Sequence, residues 1–401
     1  MSLKTSKNHC HPGRLIRVLT DILKRPLPSE TAPDADQPTQ PASSNSKAKP
    51  PKKQRLSLPA LKNTLLVVIA ITLADTFRIN EIARHLPIGV QREKHKQKRL
   101  LRFLDGDYPS QTVMRRWAHF VLQKRYLKTK GKAVLLVDEV DLLGPVKAIV
   151  AAVPFRKRAI PIWWKLYTNE QIQQMVYRSH NTLVYEFLEE LKGGFEEALG
   201  KQRRFVLIFD RGFADVKLMQ WLQQRRVSFL IRVRKNVGVE VEGYVGKLEH
   251  FPKRGYFTNV VYHKQARIRV HLYCAWQESE EGPLLIVSNE PGALLLLYRL
   301  RMQIEEAFRD LKSLFGFRAL VLKEVTLERV EQLWLLNVLS MGLVFLLYEK
   351  SGYRWAQAFN DARKRFSLVH VIKRVLQHRW KDFRLRPLFS LPLLSADILS
   401  E

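Results

Sequence analysis

Apolar positions fall into two regimes along the chain. From Leu58 to Lys130 they recur at helical spacing: Leu61, Leu65, Val68, Ile69 and Thr72 share one side of a 3.6-residue period. Ile79–Leu86 predicts a short helix, Gln91–Leu104 a second and Ser110–Tyr126 a third. The character changes at Lys132. Ala133–Asp138 (AVLLVD) and Phe205–Asp210 (FVLIFD) are continuous apolar runs of strand length that end in an acid. Val146–Val153, Arg158–Tyr167 and Val227–Val233 predict further strands, with helices at Thr182–Leu199 and Asp215–Arg225. Continuous rather than alternating apolar strands, separated by helices, predict an α/β core whose sheet is covered on both faces.

Between residues 240 and 290 strand-length runs mix apolar and polar positions: Tyr256–His263, Arg267–Trp276 and Leu284–Val287. That pattern predicts a small antiparallel β region inserted into the core. From Ala293 onward the chain reads as mostly helical. Ahead of everything, Arg14–Lys24 is an amphipathic helix candidate. Pro26–Lys53, with seven prolines and few apolar residues, has the composition of a flexible linker. The expected organisation is therefore a flexible basic arm over 1–57 and a helical module over 58–130, for which DNA binding is argued below from charge. An α/β core follows in two parts, 131–239 and 291–352, split by the β-rich insertion at 240–290; the resemblance described below implies that this core is catalytic. A basic helical region closes the chain at 353–401.

Composition narrows the function. Of 401 residues, 46% are hydrophobic, which excludes disorder throughout. Cys10 and Cys274 are the only cysteines, which excludes a disulfide scaffold. His9-Cys10-His11 has metal-ligand types but no partners at useful spacing. The apolar runs Leu65–Ala74 and Leu333–Tyr348 fall short of the ~20 residues a membrane span needs, so both predict buried helices. With no signal-peptide pattern before the polar stretch, a cytoplasmic protein with no membrane partner is expected. Lysine and arginine number 68 against 38 acids, a net charge of +30, and +17 of it lies in residues 1–130. An excess this large implies a polyanionic partner, most simply duplex DNA. Arg99 and Arg102 on the second helix of the basic module and Arg115 and Arg116 on the third are candidate phosphate contacts.

Asp138 and Asp210 close two apolar strands, at the edge where open α/β sheets bind ligands. As a pair on neighbouring strands they are candidate ligands for Mg²⁺ or Mn²⁺, with Glu139 and Asp141 as rivals. A third acid lies on the helix LLLLYRLRMQIEEAFRDLKSLFGF. At 100° per residue Tyr298, Arg301, Glu305, Arg309 and Lys312 form one stripe; Leu297, Ile304, Phe308, Leu311 and Phe315 form an apolar stripe beside it.

The spacing Tyr298-x2-Arg301-x3-Glu305-x6-Lys312 resembles the Y-R-E-K motif of the insertion-sequence "four" group of DDE transposases. Asp138 after AVLLV, Asp210 in FDRGF and the β-rich interval before the helix agree with that group in order. The resemblance extends over about residues 60–350. It implies a ribonuclease-H-like mixed sheet with Asp138, Asp210 and Glu305 as catalytic acids binding two divalent ions. Tyr298, Arg301, Lys312 and, less directly, Arg309 would grip phosphates. It further implies cut-and-paste transposition between terminal inverted repeats, a homodimer on DNA, and a nucleoid-associated bacterial enzyme. Members often carry Trp directly after the motif Arg, where this chain has Met302; Trp276 is a candidate surface for stacking a flipped base. Two competing readings are a DNA-binding regulator without catalysis and a ribonuclease-H-like nuclease without strand transfer.

Overall fold

The structure, a computed structural model, describes residues 12–31, 56–90, 92–174, 176–177, 179–275, 283–351, 367, 369–374 and 377. It divides into two compact units. One comprises residues 1–120, 142–144 and 309–401; the other comprises 121–141 and 145–308.

The first unit is helical. Its first helices are α1 (Pro12–Lys24), α2 (Pro28–Thr31), α3 (Leu58–Leu73), α4 (Ile79–Arg84), α5 (Glu93–Leu104) and α6 (Ser110–Tyr126, whose last turns lie in the other unit). Ser57 caps α3 by accepting from the Ala60 amide, which satisfies an amide that has no partner in the first turn. The one-sided pattern expected for α3 is not what forms. Leu61 and every residue from Thr64 to Leu73 are buried, so the helix is enclosed all round. Its hydroxyls are satisfied internally: Thr64 Oγ1 bonds the Ala60 carbonyl and Thr72 Oγ1 the Val68 carbonyl.

The reading of 1–57 as a flexible arm is corrected over Pro12–Thr31. Leu19, Leu23 and Leu27 are buried. Arg116 of α6 donates to the Leu23 carbonyl and, at 2.8 Å, to Glu30. An amphipathic helix this apolar on one face lowers its free energy by covering the bundle, and a buried Arg holds it there. The remainder of the Pro26–Lys53 linker, the His9-Cys10-His11 run, Trp276 and most of the basic stretch from Arg354 to Arg386 lie outside the described residues.

The second unit carries one ten-stranded sheet. Its strands are β1 (Ala133–Leu143), β2 (Val146–Phe155), β3 (Arg158–Thr168), β4 (Phe205–Phe209), β5 (Ser228–Arg232), β6 (Gly238–Val241), β7 (Tyr244–Lys247), β8 (Gly255–Tyr262), β9 (Ile268–Ala275) and β10 (Leu284–Ser288). The order is β3-β2-β1-β4-β5-β10-β9-β8-β6-β7. β1, β4 and β5 are parallel, and β4 is buried along its length, as its uninterrupted apolar sequence requires. The helices of this unit are α7 (Asn169–Gln173), α8 (His180–Leu199), α9 (Val216–Gln224), α10 (Leu294–Arg299) and α11 (Met302–Arg309). α8 packs on β2 and β3, α9 on β5, and α10 on β10 and β5.

The antiparallel β region expected over 240–290 forms, and it is continuous with the core sheet: β10 pairs antiparallel with β5, and β9, β8, β6 and β7 extend the same sheet outward. One expectation changes: β1 runs past Asp138 to Leu143, so Asp138 lies within a strand rather than at its end. The parallel β1–β4 ladder nevertheless stops at Val137↔Phe209. Asp138 and Asp210 therefore follow the last paired residues of adjacent parallel strands, and end up side by side for that reason.

The chain returns to the helical unit with α12 (Leu327–Ser351). Leu327–Leu346 is long and apolar enough to cross a bilayer, yet most of it is buried within its unit. Its polar residues serve packing: Ser340 bonds the Val68 carbonyl, Gln332 the Phe103 carbonyl and Asn337 the Leu311 carbonyl. Gly342 leaves room for Trp117, whose ring would stand 2.5 Å from an added Cβ.

Candidate active site

Tyr298 and Arg301 are buried by the break between α10 and α11. The sequence predicts one straight helix, because LLLLYRLRM contains only helix-compatible residues. The structure instead tightens at Leu300–Arg301. The Leu300, Arg301, Gln303 and Ile304 amides bond carbonyls three residues back, at 2.9–3.0 Å, instead of four. Three residues per turn put Tyr298 and Arg301 above one another. The guanidinium carbon lies 5.8 Å from the centre of the Tyr298 ring. Ile304, Ala307 and Phe308 bury the apolar side of α11, and Arg158 of β3 pairs with Glu306 at 3.4 Å. Glu305 is thus held on a helix fixed from both sides.

The guanidinium of Arg301 touches all three acids. Nη1 lies 3.4 Å from Asp138 Oδ2, Nε 3.7 Å from Asp210 Oδ1 and Nη2 2.5 Å from Glu305 Oε1. The Tyr298 hydroxyl donates to Asp210 Oδ1 at 3.3 Å, and the Glu139 amide donates to Asp138 Oδ1 at 2.9 Å. Asp138, Asp210, Glu305, Tyr298 and Arg301, dispersed over 168 positions of sequence, form one cluster in the sheet unit.

Burial sets the electrostatics. It pushes the Asp138 carboxyl up to about 6; the neighbouring Asp210 and Glu305 charges add to the rise, against the Glu139 amide and Arg301. Burial likewise raises the Tyr298 hydroxyl to about 12, which keeps it a neutral donor. For Arg301 burial pulls downward, but Tyr298, Asp210 and Glu305 together outweigh it and the guanidinium is held charged.

The rival acids are occupied elsewhere. Glu139 accepts from His180 at 2.5 Å, and this hydrogen bond raises the His180 pKa. Asp141 is exposed and pairs with Lys147 at 3.7 Å. Among the described residues no group of three or more His, Cys, Asp or Glu side chains stands close enough together, as placed here, to hold a metal ion. The three acids nevertheless supply hard carboxylate oxygens, the donor type that Mg²⁺ or Mn²⁺ takes, with Asp138 largely buried and Asp210 and Glu305 partly open to solvent.

The other candidates separate. Arg309 is exposed and Lys312 half-buried in the turn Asp310–Leu314; both belong to the helical unit. Arg102 is exposed on α5. Arg99 is half-buried and donates twice to Asn63 Oδ1, at 3.2 and 2.9 Å. Arg115 reaches Ser29 at 3.1 Å. Arg116 is buried against α1 and α2, which corrects its reading as a DNA contact: a guanidinium satisfied inside the bundle is not presented to phosphates. Its partner Glu30 is 86 residues earlier in the chain, and no local pattern signals the pair. The Arg158–Glu306 pair was equally silent in the sequence.

Residues 178–343 match the family model of the transposase DDE domain. The matched span holds Asp210, Tyr298, Arg301, Glu305 and Lys312 and begins after Asp138. A comparison with curated proteins finds no match. The family match gives the enzyme class: a DDE transposase, a metal-dependent DNA-cleaving enzyme.

Proposed function

We propose that this transposase cuts DNA with Asp138, Asp210 and Glu305 and moves an insertion sequence of the "four" group by a cut-and-paste route. The observation that carries the site is the meeting of the three acids where the parallel β1–β4 ladder ends, around Arg301. Two divalent ions held by these carboxylates would supply an activated attacking oxygen and a stabilised leaving oxygen for in-line displacement at phosphorus. The chain's own residues do the rest. The Tyr298 hydroxyl, neutral at physiological pH, and the Arg301 guanidinium donate to non-bridging phosphate oxygens.

The helical module recognises the terminal inverted repeats. Lys94, Lys98 and Arg102 line the exposed side of α5, and none of the three has an ion-pair partner among the described residues. The opposite side of α5 is tied down by Arg99–Asn63, Gln97–Asn80 and Arg84–Glu93. Leu100, Phe103 and Leu104 are buried there. Two ends must be brought together for excision, so the DNA complex is a homodimer.

Incubating the protein and Mg²⁺ with a plasmid that carries the inverted repeats flanking its reading frame should release the intervening segment. Glu305→Ala should reduce release by at least about a hundredfold, as expected when a charge-stabilising group is removed from the reacting centre. Nicking without release, or full release by the variant, would overturn the assignment.

A further inference from the structure

The position of Arg301 has a consequence for how the acidic site is loaded. Three carboxylates lie around one guanidinium, and the charges of Asp210 and Glu305 oppose the ionisation of Asp138. The cation balancing them is a side chain of the same protein. It reaches one oxygen of each acid, at 3.4, 3.7 and 2.5 Å. A divalent ion bridging the same acids would need their oxygens at about 2.0–2.2 Å, so it and the guanidinium compete for one place.

Arg301 is strongly held by the acids and weakly held by everything else. Its side chain is 9% exposed. Its buried Nε makes no hydrogen bond, its Nη2 has a long contact of 3.7 Å to the Met302 sulfur, and the Tyr298 ring is 5.8 Å away. A phosphate diester offers two oxygens matched to the guanidinium fork and can replace the lost carboxylate contacts.

We infer that Arg301 is an internal counter-ion that closes the acidic site until a DNA phosphate draws it away, so that divalent-ion loading and DNA binding favour one another. The inference rests on the proposed acidic site. It makes Arg301 a positioning residue with two partners: the acids in the DNA-free protein, a phosphate in the complex. Because coupling between two ligands is reciprocal, each must tighten the other through this side chain. The consequence is that the protein alone keeps its site closed and loads divalent ions when a DNA phosphate is present.

The test is Mn²⁺ binding to the full-length protein, followed by the free-ion paramagnetic signal, with and without a short duplex of random sequence. Arg301→Gln should bind Mn²⁺ at least about tenfold more tightly than the wild type without DNA, the scale of removing one competing charge from a partly screened site. The duplex should tighten Mn²⁺ binding to the wild type and leave the variant nearly unchanged. Equal or weaker Mn²⁺ binding by Arg301→Gln would overturn the inference. If that variant does not fold, Arg301→Lys, whose compact ammonium cannot span three acids, should show a smaller gain, and no gain would count equally against it. Asp210→Asn separates this inference from the site itself. Loss of Mn²⁺ binding in Asp210→Asn with no gain in Arg301→Gln overturns only the counter-ion role. Unchanged binding in Asp210→Asn overturns the site.

Discussion

Asp138 is the residue whose environment is most at odds with its charge. Its carboxyl titrates near 6, well above the ordinary range, chiefly because it is buried. The consequence for stability has a definite sign. Well below the unfolded value of 3.8, under about pH 3, the group is neutral in both folded and unfolded chains and costs nothing. As the pH rises toward 6 the unfolded chain ionises first, and the folded state loses stability until the folded group also ionises. Above that range the full penalty is present, on the order of 3 kcal/mol as an upper figure. Asp138→Asn keeps an oxygen to accept the Glu139 amide. In a chelating buffer it should therefore melt higher than the wild type at pH 8 and at the same temperature at about pH 2.5. A variant melting lower at pH 8 would mean that the Arg301 contact outweighs burial. The sequence singled out all three acids, since two close apolar strands and the third sits in a spaced motif, and the structure places each of them beside Arg301. Arg301 was legible as a cation near the reaction but not as the partner of all three acids, because that depends on strand ends and helix pitch meeting in space.

At the scale of elements, the strands were read well because continuous apolar runs leave little choice: β2, β3, β4 and β5 form where those runs are. The end of β1 was missed because its outer half, DEVDLL, is polar enough to look like a loop yet remains in the sheet beside β2. The break at Leu300–Arg301 was missed because nothing in the local propensities asks for it. The buried contacts of Tyr298 and Arg301 favour the tighter turn there. For α5 the structure sharpens a crowded cluster of cations into two sets. Lys94, Lys98 and Arg102 share a stripe about 80° wide over some 12 Å of helix, whereas Arg99 is spent on Asn63. Lys98→Ala with Arg102→Ala should weaken duplex binding about tenfold or more at moderate salt. It should also lower the slope of log affinity against log salt by about two, one for each phosphate contact. Fluorescence anisotropy over a salt series reads both, and an unchanged slope would remove α5 from the interface.

Over the whole molecule, the +30 charge and the acidic site belong to a division of labour visible in the two units. The helical unit holds the basic α5 surface and the sheet unit holds the acids. The sequence places a boundary at residue 130, where helical spacing gives way to continuous apolar runs, while the two compact units divide the chain at 120/121, 141/142, 144/145 and 308/309. The outer ends of the chain were harder. Residues 12–31 join the helical bundle through Leu19, Leu23, Leu27 and the Arg116–Glu30 pair. At the other end Lys373 is buried and donates to the carbonyls of Ala74 and Leu314. Such long-range partners are set by packing and leave no mark in a local pattern. The β-rich interval reads as an antiparallel insertion because its strands mix apolar and polar positions, unlike the core strands. The alternation reports only that one face is more exposed, and it does not exclude membership of the same sheet.

The central claim is that three carboxylates from β1, the end of β4 and α11 form one metal-dependent cleavage site. The most direct measurement is nicking of end-sequence duplex by Asp138→Asn, Asp210→Asn and Glu305→Gln, each compared with the wild type in Mg²⁺ and each first shown to bind the duplex. The expected result is that all three bind the DNA and none nicks it. Nicking at the wild-type rate by any one of them, with binding retained, would contradict the site.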